Sequence, residues 1–277
     1  MTDQSFRLKG TRRTGVLLLH GLTGAPSEMK FLARRLHRQG FDVYAPQLAG
    51  HGGDVRALLA TTWRDWLQSV CESYDVYRSE VDEIYVAGVC VGGALGLLLA
   101  NERPDIKACA VYSMTFEYDG WNMRRWCGAA GLIQVVANLP LLRKISFEEP
   151  FPYGIKDHRL RDRMMRMPAE FTDGALDRLP LGALFQMYRL GRRVLRTGRA
   201  IKVPTLILHA RHDDMSHPRN SERLRDCLGG PTTLKLLDDS YHMIHVDQER
   251  DRVAALTGVF FGAAELAPPQ PRGASHA

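Results

Sequence analysis

The chain has 277 residues, 45% of them hydrophobic and 25% charged, and a net charge of +6. That length is enough for a full core in a single domain, and the composition is that of a globular protein. No apolar run reaches the roughly 20 residues that span a bilayer, and the polar, basic start from Met1 to Thr14 has no secretory apolar segment. A cytoplasmic protein without a transmembrane segment is therefore expected.

Strand and helix periodicities alternate from Gly15 onward. Gly15 to His20 is a continuous apolar run, the pattern of a strand buried on both faces. Glu28 to Gln39 is amphipathic, with Gly40 placed to end the helix. Phe41 to Ala45 reads as a second strand stopped by Pro46, and Thr62 to Ser79 as a second helix carrying Trp63, Trp66, Leu67, Val70 and Tyr74 at helical spacing. Ile84 to Ala87 is a third strand, Cys90 to Asn101 a third helix and Ala108 to Tyr112 a fourth strand. The alternation resumes with a strand at Thr205 to His209 and a helix around Ser221 to Leu228. A strand at Thr233 to Leu237 and a closing helix at Asp247 to Phe261 complete it. Such alternation implies an α/β fold with a mostly parallel sheet and helices on both faces. The core is expected over residues 1–116 and 200–266, interrupted by a helical cap insertion over 117–199 that contains Trp121 and Trp126. A Pro-, Gly- and Ala-rich tail over 267–277 is expected to fray.

Five cysteines (Cys71, Cys90, Cys109, Cys127 and Cys227) show no paired spacing, so neither a zinc site nor a disulfide framework is expected. Only Cys90 has a chemically suggestive context. Gly88-Val89-Cys90-Val91-Gly92-Gly93 follows a strand and opens a helix, which is the G-x-S-x-G nucleophile pattern with cysteine in the serine place. A tight strand-to-helix turn strains the nucleophile and leaves room only for glycine beside it. It also sets the side chain at a helix N-terminus, where the dipole favours an anion. A buried structural cysteine in a Gly-rich turn would look the same; the flanking strand and helix favour the nucleophile.

Three further segments lie just past strand ends. His20-Gly21-Leu22-Thr23-Gly24 follows the first strand, and an oxyanion needs two preorganised N–H donors. With this nucleophile pattern one donor is the amide of Val91 and the other comes from this loop, at Leu22. Arg211-His212-Asp213-Asp214-Met215 offers a carboxylate to orient a base; chemistry alone leaves Asp213 and Asp214 both open. Ser240-Tyr241-His242-Met243-Ile244-His245 offers the base, and His242 is preferred to His245 because it lies closer to the strand end.

Together these segments resemble the small bacterial carboxylesterase and monoacylglycerol lipase branch of the α/β-hydrolase fold family. The resemblance rests on His20 to Gly24, Pro46 to Gly52, Thr62 to Trp66, the Cys90 turn, His209 to Asp213 and Ser240 to Asp247. It implies Asp213 as the acid, His242 as the base, no cofactor or resident metal, and esterase or lipase activity on acyl esters. The chain departs from the family in having Cys90 for serine, Tyr241 where glycine is commoner, and a longer, more basic insertion.

The implied chemistry is a Cys90–His242–Asp213 triad acting through an acyl-enzyme on a small-molecule ester or thioester, with no nucleic acid partner. An acyltransferase using the same triad and a non-catalytic ligand binder on the same scaffold are the alternatives. The whole net charge sits in Glu117 to Arg199, which carries 15 Lys and Arg against nine Asp and Glu. Arg189, Arg192, Arg193, Arg196 and Arg199 recur there at helical spacing. A solvated helix face, an acyl-coenzyme A or acyl carrier protein donor bound through a basic cap, and an anionic membrane surface would each fit that run.

Overall fold

A computed structural model describes residues 3–123, 142–148, 150–166, 174–176 and 178–265; Trp126, Cys127 and the tail lie outside them. Seven strands form one sheet: β1 (Phe6–Leu8), β2 (Thr14–Leu19), β3 (Asp42–Ala45), β4 (Glu83–Val89), β5 (Cys109–Tyr112), β8 (Thr205–Ala210) and β9 (Thr232–Leu237). Their order is β1-β3-β2-β4-β5-β8-β9, and every pairing is parallel except β1 with β3. β2 is buried along its whole length and β4 along nearly all of it, which explains their unbroken apolar sequence: in a parallel sheet both faces are covered.

The helices are α1 (Lys30–Arg38), α2 (Val55–Leu59), α3 (Trp63–Arg78), α4 (Val91–Glu102), α5 (His158–Arg166), α6 (Leu181–Thr197), α7 (Arg219–Cys227) and α8 (Arg250–Glu265). Successive residues of β4 show the two layers, because side chains on a strand alternate faces. The Tyr85 ring stacks on Phe261 of α8 at 4.7 Å, whereas Val86 faces Gly96 of α4. α1 packs against α8, and α3, α4 and α6 pack together. Local sequence sets the helix ends. Thr62 and Asp65 form a reciprocal capping box at the start of α3, and Gly40, at φ +96°, takes the left-handed turn after α1.

Three features depart from the sequence reading. β1 has too few residues to show a period; it is held by Arg7, whose guanidinium pairs with Asp42 at 2.8 and 3.1 Å. The insertion contains a short antiparallel pair, β6 (Ser146–Glu148) with β7 (Arg178–Pro180). And α6, expected over the sheet as part of the cap, packs its buried Leu184, Met187, Leu190 and Val194 face within the helical layer beside α3 and α4. No helix of the described residues is long and apolar enough to cross a membrane.

Candidate active site

The singled-out residues meet at the C-terminal ends of neighbouring parallel strands, where α/β sheets open a crevice. Cys90 follows β4 directly and adopts φ +50°, ψ −110°, with its amide donating to the Tyr112 carbonyl at 2.9 Å. A residue with a side chain pays strain in that region, and the glycines around it let the chain close so tightly. A Cβ on Gly92 would lie 2.3 Å from the Leu19 carbonyl oxygen, and one on Gly88 would lie 2.4 Å from the Gly92 backbone. Backbone atoms cannot rotate aside. Gly92→Ala is therefore expected to cost about 2–3 kcal/mol and lower Tm by roughly 5–10 °C in a thermal melt; an unchanged Tm would show that the turn has room to relax.

Asp213 lies three residues beyond β8, wholly buried, and His242 five residues beyond β9. His242 Nδ1 lies 2.8 Å from Asp213 Oδ2 and 3.1 Å from Oδ1. Burial alone would lower the His242 pKa, but the Asp213 charge and the hydrogen bond that its carboxylate accepts, with a smaller contribution from Cys90, outweigh it, holding the imidazole well above the usual histidine range. Burial would raise the Asp213 carboxyl, and His242 together with the hydrogen bond from His209 pulls it well below the usual range. The two side chains thus form a buried pair in which the carboxylate favours the charged imidazole, and His242 lines the same pocket as Cys90.

Asp213 and Asp214, equivalent in the sequence, differ in what they touch. Asp213 Oδ1 also accepts the Met215 and Ser216 amides, both at 2.8 Å, leaving Oδ2 turned toward the imidazoles. Asp214 accepts the Gly154 amide at 3.1 Å and the His242 amide at 3.3 Å, so it fixes backbone rather than a ring. His245 is buried with neither ring nitrogen partnered among the described residues, and burial drops its pKa to about 3.

Sequence reasoning missed several supports. His209, on β8, points Nε2 at Asp213 Oδ2 (3.1 Å) and at the Ser216 carbonyl (2.8 Å), while Nδ1 meets the Ser221 hydroxyl at 2.7 Å. Asp213 is thus held by two imidazoles. Ser113 donates its hydroxyl to the His242 carbonyl at 2.6 Å. Behind the Gly21-Leu22 loop, His20 Nε2 accepts the Leu48 amide and Nδ1 donates to the Gly21 carbonyl. His51 is kept neutral by burial, with its pKa lowered to about 4, and lies between the Leu22 carbonyl (2.8 Å) and the Ala49 carbonyl (3.0 Å). Glu28 accepts the Gly21 amide at 2.6 Å. The only sequence signal for this clamp was its recurrence in the His-Gly and Gly-His-Gly segments that carried the resemblance.

Cys90 and His242 open into a pocket of about 420 Å³, within the range of small-molecule sites. Leu22 lines it beside Cys90, and Val91, next to Cys90, is the first residue of α4, where backbone N–H groups have no partner within the helix. Met164, Met165, Leu176, Met215 and Met243 make its wall flexible and apolar. The segment 154–157 is stitched to the histidine loop. Asp247 accepts the amides of Lys156 (2.8 Å), Asp157 (2.9 Å) and Tyr241 (2.7 Å), and Met243 donates to the Gly154 carbonyl at 2.8 Å.

Comparison with known proteins agrees with this architecture. The chain is 26% identical to the thermostable monoacylglycerol lipase of Bacillus sp. (strain H-257) over 248 residues, covering 89% of this chain and 90% of that one. It is 27% identical to the carboxylesterase of Bacillus subtilis (strain 168) over 258 residues, covering 91% and 94%. The monoacylglycerol lipase structure of Paleococcus ferrophilus superposes with a TM-score of 0.74 at 20% identity, covering 95% of this chain and 99% of that one. Residues 10–249 match the Hydrolase_4 family, described as serine aminopeptidase, S33. With the parallel sheet, the glycine-flanked turn at Cys90 and this match in hand, the chain belongs to the Hydrolase_4 family of the α/β-hydrolase fold.

Proposed function

We propose that the protein hydrolyses apolar carboxylic esters and thioesters through an acyl-thioester on Cys90. The observation that carries this reading is the buried Asp213–His242 pair, at 2.8 Å, whose imidazole lines one largely apolar pocket together with Cys90. The lipase and carboxylesterase relatives support the ester as the substrate class.

His242, oriented by Asp213, holds the proton that the Cys90 thiol has given up, and the Sγ thiolate attacks the acyl carbonyl carbon. The amides of Leu22 and Val91 hold the oxyanion. The carbonyl re-forms as the bond to the alcohol or thiol breaks, and that leaving group takes the proton from His242. Water then gives a proton to His242 and attacks the thioester; the acid departs, and Sγ regains its proton. A thiolate is a good leaving group and can return an oxyester to starting material, while exchange with a thioester is nearly balanced. Thioesters and activated esters are therefore the better donors. The described parts of 142–180 that border the pocket, with Glu148, Tyr153, Ile155 and the Met164-Met165 pair, act as its cap.

Intact-protein mass spectrometry after incubation with p-nitrophenyl acyl esters and with acyl-coenzyme A tests the reading. The expected result is a transient acyl adduct that maps to Cys90, disappears with time and is missing in Cys90→Ala. No adduct from either donor, with hydrolysis retained in Cys90→Ala, would overturn it.

A further inference from the structure

The arginines that cluster at helical spacing do not border the Cys90 pocket. Arg189, Arg192, Arg193 and Arg196 lie on the exposed face of α6 and line a separate groove of about 770 Å³. The groove is walled by α3, α6 and the C-terminal half of α4, which add Arg64 and Arg103. Since α4 begins beside Cys90 and rises about 1.5 Å per residue, its Arg103 end lies on the order of 18 Å from the nucleophile.

The charge of this groove is poorly compensated. Glu102 is its lone carboxylate among the described lining residues. Arg103 is held by Asp75 at 2.9 Å through both Nε and Nη2. No carboxylate among the described residues pairs with Arg64, Arg189, Arg193 or Arg196. Two of these guanidinium groups lie over rings instead, Arg64 over Trp63 at 4.9 Å and Arg189 over Phe185 at 5.6 Å. A guanidinium stacked on a ring is held in place while its N–H edge stays available. Like charges at i, i+3 and i+4 on one helix repel, so α6 bears an arrangement that an anion would relieve.

The rest of the groove narrows the ligand. Trp63, Leu67 and Leu98 give it an apolar wall, and the buried Trp63 indole N–H has no partner among the described residues. Guanidinium forks match phosphate oxygens. A concave, part-apolar site of this volume suits a compact molecule better than the plane of a bilayer. We infer that the groove between α3, α4 and α6 is a second binding site, which takes a soluble phosphorylated molecule of nucleotide size carrying at least two negative charges.

Calorimetric titration of the full chain with sodium pyrophosphate and with ADP tests this. Saturable binding at one site is expected, weakened about tenfold or more in Arg193→Gln/Arg196→Gln. It should be nearly unchanged in Arg34→Gln/Arg56→Gln, which removes the same charge elsewhere, and unchanged in Cys90→Ala. Equal weakening in both double variants would reduce the effect to net charge and overturn the site, as would no saturable binding. Affinity only for phosphatidylglycerol vesicles, absent for both soluble probes, would assign the face to membranes instead. Because the readout is binding, failure of the esterase reading leaves this test intact.

Discussion

Asp213→Asn is expected to lower kcat/KM on the order of 10⁴-fold without loss of the fold, the size of effect known for a triad aspartate. The reason lies in which oxygen does what. The Met215 and Ser216 amides pin Oδ1, so an asparagine keeps its oxygen there and turns its NH₂ group toward His242 Nδ1 and His209 Nε2. His242 must then accept at Nδ1 and carry its proton on Nε2, which leaves the ring no free nitrogen to take the thiol proton. Asp214→Asn serves as the control. It disturbs only backbone amides and should cost no more than about tenfold. Similar losses in both variants would show that the assignment of the acid is wrong.

The same substitution has a signature in stability. The Asp213 pKa is lowered by folding, so its contribution is present above the unfolded value near 3.9 and is lost as pH falls through the folded value. His242 is raised, so its contribution is full below about 6.5 and is lost as pH rises through the folded value. The difference between wild type and Asp213→Asn in urea unfolding should therefore be greatest between about pH 4 and 6.5, at about 3 kcal/mol, and shrink on both sides.

On the proposed mechanism, removing the Cys90 thiol should be at least as damaging. Cys90→Ala is expected to lose on the order of 10⁴-fold or more in kcat/KM, the residue of activity coming from binding and the oxyanion donors. Cys90→Ser is the sharper test. Serine needs a neutral imidazole to take its proton during attack, whereas the more acidic thiol of a cysteine can hand its proton to an imidazole beforehand. Acylation measured by stopped flow between about pH 6 and 9 should rise with pH in Cys90→Ser and stay nearly level in the wild type. Parallel profiles would argue that cysteine here works by the same general-base route as serine.

The sequence made the scaffold readable because each buried strand and each helix carries its own period, and the glycines around Cys90 encode a clash that only they avoid. It also ranked His242 above His245 by distance from the strand end, and His242 is the one whose ring meets Asp213. It could not separate Asp213 from Asp214 on chemistry, since the difference lies in the turn that aims one at a ring and the other at backbone amides. His209 looked like one more apolar-strand residue, because its contact with Asp213 exists only once β8 and that turn are folded. α6 was misplaced for a related reason: a basic, amphipathic helix reads alike whether its apolar side covers a pocket or another helix.

The bonds that join 154–157 to the histidine loop make the pocket rim and the base a single mechanical part. Each amide held by Asp214 or Asp247 is a charge-assisted bond worth about 1.5–3 kcal/mol when buried. Lifting that side of the rim would carry the imidazole away from Cys90, so a substrate that entered there would meet a disarmed enzyme. The side chains of Met164 and Met165, which also line the pocket, take no part in those bonds; unbranched, they can part and close again while the catalytic geometry stays still.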